Sequence, residues 1–123
     1  MYVRLSANLR EMLAPLMEGE LQPAAVLREK VEAHGRAARE AASAGKPVDL
    51  ARAEQLCRAC LTLIDDLPKL RETNRRLVQG AALYFAASDD EEDDFDSIVG
   101  LEDDVIVVNY VLSQLGRSDL RIV

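Results

Sequence analysis

Tryptophan is absent from this 123-residue chain, histidine occurs once, and cysteine only twice. Each scarcity removes a class of function. Carbohydrate sites use aromatic platforms, and three Tyr and two Phe without a Trp supply little such area. A four-ligand zinc site needs a second pair beside Cys57 and Cys60, and only His34 is at hand. The longest low-polarity runs, Gly80 to Ala87 and Val105 to Val108, fall far short of the roughly 20 residues that span a bilayer. No basic start followed by a long apolar stretch marks an export signal. The expectation is a soluble, cytoplasmic protein.

Lys, Arg and His are also missing from the sixteen residues between Asp89 and Asp104. Ten carboxylates stand there: Asp89, Asp90, Glu91, Glu92, Asp93, Asp94, Asp96, Glu102, Asp103 and Asp104. Two unit charges about 4 Å apart repel by roughly 1 kcal/mol in water and by several times that beside a protein surface. Solvent, a cation or a basic partner must therefore dilute or neutralise the cluster. Its acidity is local: without these ten, the 22 acids fall to 12 against 15 bases, and the net charge of -7 becomes +3. Nucleic-acid binding through this face is excluded, because phosphate contacts require Lys and Arg. Docking on anionic lipid through it is excluded for the same reason.

What is present is Ala, Leu and Arg, a composition that favours helices. The length suits one domain over residues 1–123 with a modest core. Five segments carry helical periodicity. Leu5, Leu9, Met12 and Leu16 make the first stripe; Ser6 or Asn8 is its cap, Pro15 predicts a kink or early end, and Gly19 a stop. A second helix starts near Pro23 with the stripe Leu27, Val31, His34, Ala38 and Ala41. Its face is weakly apolar and interrupted by Gly35, which predicts the most peripheral helix. Asp49 caps a third with the stripe Ala53, Leu56, Cys60, Leu63 and Leu67, ended or bent by Pro68. The fourth runs from about Lys69 to Ala87 with Leu70, Leu77, Ala81 and Tyr84 on one side, and Gly80 allows a close neighbour. In the last segment Val105 to Val108 is β-branched and suggests a strand. Leu101, Val105, Val108, Leu112 and Leu115 nevertheless step by four and three, and Gly116 follows as a C-cap, so the spacing predicts a helix. The expected fold is an all-α bundle of four to five helices, ending in a helix, an acidic loop over 88–102 and a helix.

The stretch Ala82-Leu-Tyr-Phe85, Asp90, Asp94-Phe95, Gly100 and Asp103-Asp104 resembles the signature of the YkvA-like family, a bacterial domain of unknown function. That pattern is an apolar helix, Asp-x-x-Pro-Asp-Phe, a few residues, Gly, two residues and Asp-Asp, and its spacing is kept over about residues 77–115. Glu92 and Asp93 replace the apolar residue and Pro before the second Asp, and Asp96 replaces the apolar residue after Phe95. The resemblance implies a helical hairpin often found with membrane-associated proteins, and it implies no catalytic activity.

Two uses of the acidic segment stand side by side. Asp90, Asp94, Asp103 and Asp104 are candidate oxygen ligands for a hard cation, Mg²⁺ or Ca²⁺. No EF-hand loop fits, since Val99 stands where a Gly is required when counting from Asp94. The alternative is an interaction or inhibitor protein whose Glu91, Glu92, Asp93 and Asp96 meet a basic protein partner. Carboxylates that cap the last helix and bond its N–H groups are the bland reading. For Cys57 and Cys60 the favoured reading is buried reduced thiols, because a redox pair usually stands at a helix start after a strand. His34 is expected to cover core. Arg71, Arg75 and Arg76 form a basic cluster that reads as an exposed face, with pairing of Arg75 or Arg76 to carboxylates of a neighbouring subunit as the alternative. No nucleophile motif accompanies the acids, so the expectation is a non-enzymatic protein. Assembly into a homo-oligomer through the first two helices is a further expectation.

Overall fold

The computed structural model describes residues 5–87 and 101–122, and all regular structure among them is helical. Five α-helices follow one another: α1 (Ala7–Glu18), α2 (Ala24–Ser43), α3 (Leu50–Asp65), α4 (Glu72–Phe85) and α5 (Glu102–Gln114). Short 3₁₀ turns cover Leu67–Lys69 and Ser118–Leu120. None of the described helices is long and apolar enough to cross a membrane.

Side-chain caps set two of the starts. Ser6 Oγ accepts the N–H of Leu9 at 3.2 Å, and Asp49 Oδ1 accepts that of Arg52 at 3.1 Å. At the other extreme Gly116, with φ of 70°, closes α5: Arg117 N donates to Leu112 O at 2.8 Å and Gly116 N to Ser113 O at 3.3 Å. These paired bonds satisfy carbonyls that the helix end leaves open, and only glycine enters the left-handed region without steric cost. The β-branched run of α5 is thus held in a helix from both sides, by burial of Val107, Val108, Val111 and Leu112 and by its terminal glycine.

Contacts at the helix ends give the topology. Arg76, early in α4, donates to Met17 O and Gly19 O at the end of α1. Arg28, early in α2, pairs with Asp65 at the end of α3. Arg117, just past α5, pairs with Asp66, just past α3, at 2.6 Å. Hence α1, α3 and α5 finish at one end of the bundle and α2 and α4 begin there, an up-down arrangement of five helices. α4 packs against all four others, and α2 lies along α3 over the most extensive interface.

Four sequence expectations change. The apolar stripe of α1 is Leu5, Leu9 and Leu13 with Met17 beside it, whereas Met12 is 45% exposed. Apolar residues lie both three and four positions after Leu9, and the choice is made across the interface. A Cβ at Gly80 would sit 2.6 Å from Met17 Cγ and 2.9 Å from Leu13 Cδ1, so this notch in α4 receives those two side chains. Pro15 neither kinks nor ends the helix, which continues to Glu18. It stands on the exposed side, where water can take up the carbonyl that loses its donor.

Nor is α2 peripheral. Leu27, Val31, His34, Ala38 and Ala41 are all buried as the stripe requires, and the small residues bring the helix close to α3. At Gly35 a Cβ would meet Cys57 Sγ at 3.0 Å. Lastly, α4 begins at Glu72 because Pro68 turns the chain through a 3₁₀ turn first. Val78, Gln79, Ala82 and Phe85 are buried on it in addition to the expected Leu77 and Ala81, so α4 is enclosed on several sides.

Candidate functional site

The acidic segment joins the end of α4 to the start of α5, and both of these lie at the end of the bundle opposite the Arg76 and Arg117 contacts. The N-termini of α1 and α3 lie there too. Three helix starts therefore surround the attachment points of the carboxylate-rich connection, and each start carries partial positive charge from its unpaired N–H groups.

Of the predicted metal ligands, Asp90 and Asp94 lie outside the described residues, as do all four predicted partner contacts, Glu91, Glu92, Asp93 and Asp96. Asp103 and Asp104 are in the first turn of α5 together with Glu102. They face different environments. Asp104 is only 4% exposed, while Glu102 and Asp103 are exposed. Among the described residues no three His, Cys, Asp or Glu side chains converge as a metal site would require.

Asp104 looks into the core beside α3. Its negative charge is felt by Cys60, whose thiol is pushed far up from its ordinary value, chiefly by burial and then by the neighbouring Cys57 and Asp104. The Cys57 thiol is raised as well, mainly by burial, and its Sγ lies 3.8 Å from Val31 O. Both cysteines are free. A raised pKa is the reverse of what a reactive thiolate needs. His34 is buried with its ring edge-on to Phe85, centroids 4.8 Å apart at 79°, and covers core as its position on the stripe implied.

The arginine end holds side chains whose roles the sequence did not disclose. Gln79 is 1% exposed and satisfied on both sides of its amide: Nε2 donates to Leu16 O at 3.1 Å and Glu20 O at 3.2 Å, and Oε1 accepts the N–H of Gln22 at 2.7 Å. It fixes the linker between α1 and α2. Arg76 Nη1 reinforces this, donating to Met17 O at 2.9 Å and Gly19 O at 2.7 Å. The predicted basic cluster therefore splits. Arg76 is turned inward on the chain's own carbonyls, Arg75 Nε donates to Leu70 O at 2.9 Å, and Arg71 is exposed. On α5, Asn109 makes a reciprocal pair with Ile122, donating to its carbonyl at 3.0 Å and accepting its N–H at 2.9 Å, which holds the chain beyond the 3₁₀ turn against the core. An isolated polar residue inside an apolar run was the only sequence signal for Gln79 and Asn109.

Comparison with family models, with curated proteins and with solved structures finds no significant match for this chain.

Proposed function

We propose that the protein is a non-enzymatic binding protein whose acidic end docks on a basic protein surface, with residues 89–104 as the contact element. The observation that supports this reading is the placement of both anchors of the connection at one end of an up-down bundle, with Glu102 and Asp103 exposed on the first turn of α5. Asp104 has a different task. It is buried in the first turn of α5, where the helix start favours a carboxylate. Charge of one sign gathered at one end steers an oppositely charged partner and makes association fast and salt-sensitive. Kinship with the YkvA-like family is part of the same proposal, supported by the antiparallel α4 and α5, to which the matched segment belongs.

The competing reading is a divalent cation held by Asp90, Asp94, Asp103 and Asp104. The opposite exposures of Asp103 and Asp104 favour partner binding over it. Affinity capture at low and high salt tests the choice, with Glu91, Glu92, Asp93 and Asp96 changed to Gln or Asn. Capture that weakens as salt rises above roughly 0.15 M and is lost in the variant supports the docking surface. Capture indifferent to all four changes overturns it. A melting temperature that rises on titration with Mg²⁺, Ca²⁺ or Mn²⁺ and stays fixed in the Asp103→Ala, Asp104→Ala double variant favours the cation instead.

A further inference from the structure

At the arginine end an open groove of about 490 Å³ runs between the start of α2, the turn after α3 and the first turns of α4. Leu21, Pro23, Ala24, Leu27, Leu67 and Pro68 supply apolar walls, and Arg75 and Gln79 supply the polar part. Its size falls within the range of about 300–1,000 Å³ seen for small-molecule sites. At roughly 30 Å³ per water-sized group, it has room for a chain of ten carbons with a head group.

The groove is built rather than incidental. One wall is the linker, which Gln79 holds by two hydrogen bonds and Arg76 by one, while each also bonds a carbonyl near the end of α1. Pro23 and Pro68 stiffen its corners, since each fixes its own φ. A site already in its bound shape loses little on ordering, which leaves more of the contact energy for the ligand.

Arg75 decides the ligand's charge. Its Nε is fixed on Leu70 O, which orients the guanidinium plane, and among the described residues no carboxylate or other acceptor engages its two Nη groups. By contrast Arg28, Arg76 and Arg117 are each paired with a carboxylate. A half-buried guanidinium held by one nitrogen offers its other donors as a fork, the geometry that matches a carboxylate in two parallel bonds. The N-terminal turn of α4 carries Arg75, so the helix dipole favours the same sign of ligand. We propose that this groove binds a small amphipathic carboxylate, its apolar chain along Leu21, Ala24, Leu27 and Leu67 and its head group on Arg75. The site is separate from the acidic end and does not depend on the function assigned there.

Decanoate, decanol and decyltrimethylammonium, titrated below their micellar ranges into the whole protein, test the proposal by amide shifts in two-dimensional NMR. Decanoate is expected to shift amides of Gln22, Leu27, Leu67 and Gln79 and to bind at least tenfold more tightly than the other two. Arg75→Gln should remove that tenfold preference while leaving decanol binding unchanged, and Arg75→Lys should restore only part of it because the fork is lost. Ala24→Phe, which fills the groove from the first turn of α2, should abolish decanoate binding with the spectrum otherwise folded. Decanoate that shifts no groove amide overturns the site. Equal affinity for decanol, or an unchanged decanoate affinity in Arg75→Gln, overturns the recognition of the carboxylate.

Discussion

The two ends of the bundle treat charge in opposite ways. At the arginine end, three guanidinium groups meet carboxylates of the chain itself: Arg28 meets Asp65, Arg117 meets Asp66 and Asp119, and Arg76 meets Glu72 together with two backbone carbonyls of the α1 terminus. At the acidic end the sequence gathers ten carboxylates without a single base. The helix count makes this tolerable. The five helices of the described residues alternate in direction and cannot cancel their dipoles in pairs, so one end holds three of their N-termini and two of their C-termini, and the other the reverse. Each N-terminus acts as roughly half a positive charge. The acids are attached where three such starts face the same way, and the cations sit where three sets of open carbonyls do. An odd bundle therefore has a built-in electrostatic polarity, which the charged residues follow.

The sharpest way to break this comparison is to unlock the matched end. Gln79→Ala leaves the N–H of Gln22 and the carbonyls of Leu16 and Glu20 without their partner inside the protein. Unmet buried polar groups cost about 1–3 kcal/mol each, with partial relief from water entering the space left behind. A loss of about 3 kcal/mol is expected in urea unfolding, with Tm lower by roughly 10 °C. A loss below about 1 kcal/mol would mean that the linker is held by something other than this amide.

Next in size is a contrast within the acidic end itself. Asp104 is buried and Asp103, one residue earlier in the same turn, is exposed, although both stand at the same positive helix start. Asp104→Ala should cost about 2 kcal/mol and Asp103→Ala no more than about 0.5 kcal/mol, since helix-end charges gain most when partly buried. Equal effects in chemical denaturation would place both carboxylates in the same environment and remove the structural role given to Asp104.

Much of the fold was legible because it rests on spacing and local chemistry. The stripes of α2 and α3 were readable as buried faces, Asp49 as a cap, Ser6 as one of two candidate caps and Gly116 as a stop, because each acts within four residues of its own position. The rotation of α1 was not legible, since Leu13 competes with Met12 until Gly80 of a distant helix selects between them. Smallness misled in α2: Gly35 and Ala38 looked like a weak face, yet small side chains are what allow two helices to approach. For the site, the concentration of acids was plain in the sequence, while the opposite exposures of Asp103 and Asp104 depend on how α5 is turned against α3. The groove beside Arg75 was illegible for a similar reason. Its walls come from three separate segments, and what distinguishes Arg75 from Arg76 is the direction in which each leaves α4.

The acidic end also predicts an alkaline limit. Cys60 is buried beside Asp104, and its folded pKa stands well above the ordinary value of 9.0 at which the unfolded thiol ionises. Its contribution to stability is complete below about pH 9 and is lost progressively as pH rises toward the folded value. The slope attributable to this one group is about 1.4 kcal/mol per pH unit. Cys60→Ala lowers the whole curve through lost packing, but should make it flatter above pH 9 in denaturant titrations carried out from pH 7 to 10.5. A variant with the wild-type slope would assign the alkaline loss to other groups.

The smallest expected effect comes from the α1–α4 contact, where opposing terms nearly balance. Gly80→Ala adds a methyl group into the space held by Met17 and Leu13, an overpacking that costs about 1–2 kcal/mol. Alanine in a helix interior recovers about 1 kcal/mol relative to glycine. The net change should be a destabilisation of no more than about 1 kcal/mol, and its sign should depend on the neighbour. In a Met17→Ala background the nearer clash is gone, and the remaining one is with the end of the Leu13 side chain, which can rotate aside. There Gly80→Ala should become neutral or stabilising, so a double-mutant cycle should give a coupling of about 1 kcal/mol. Additive effects would show that Met17 does not fill the notch over Gly80, and the account of why α1 buries Leu13 rather than Met12 would fall with it.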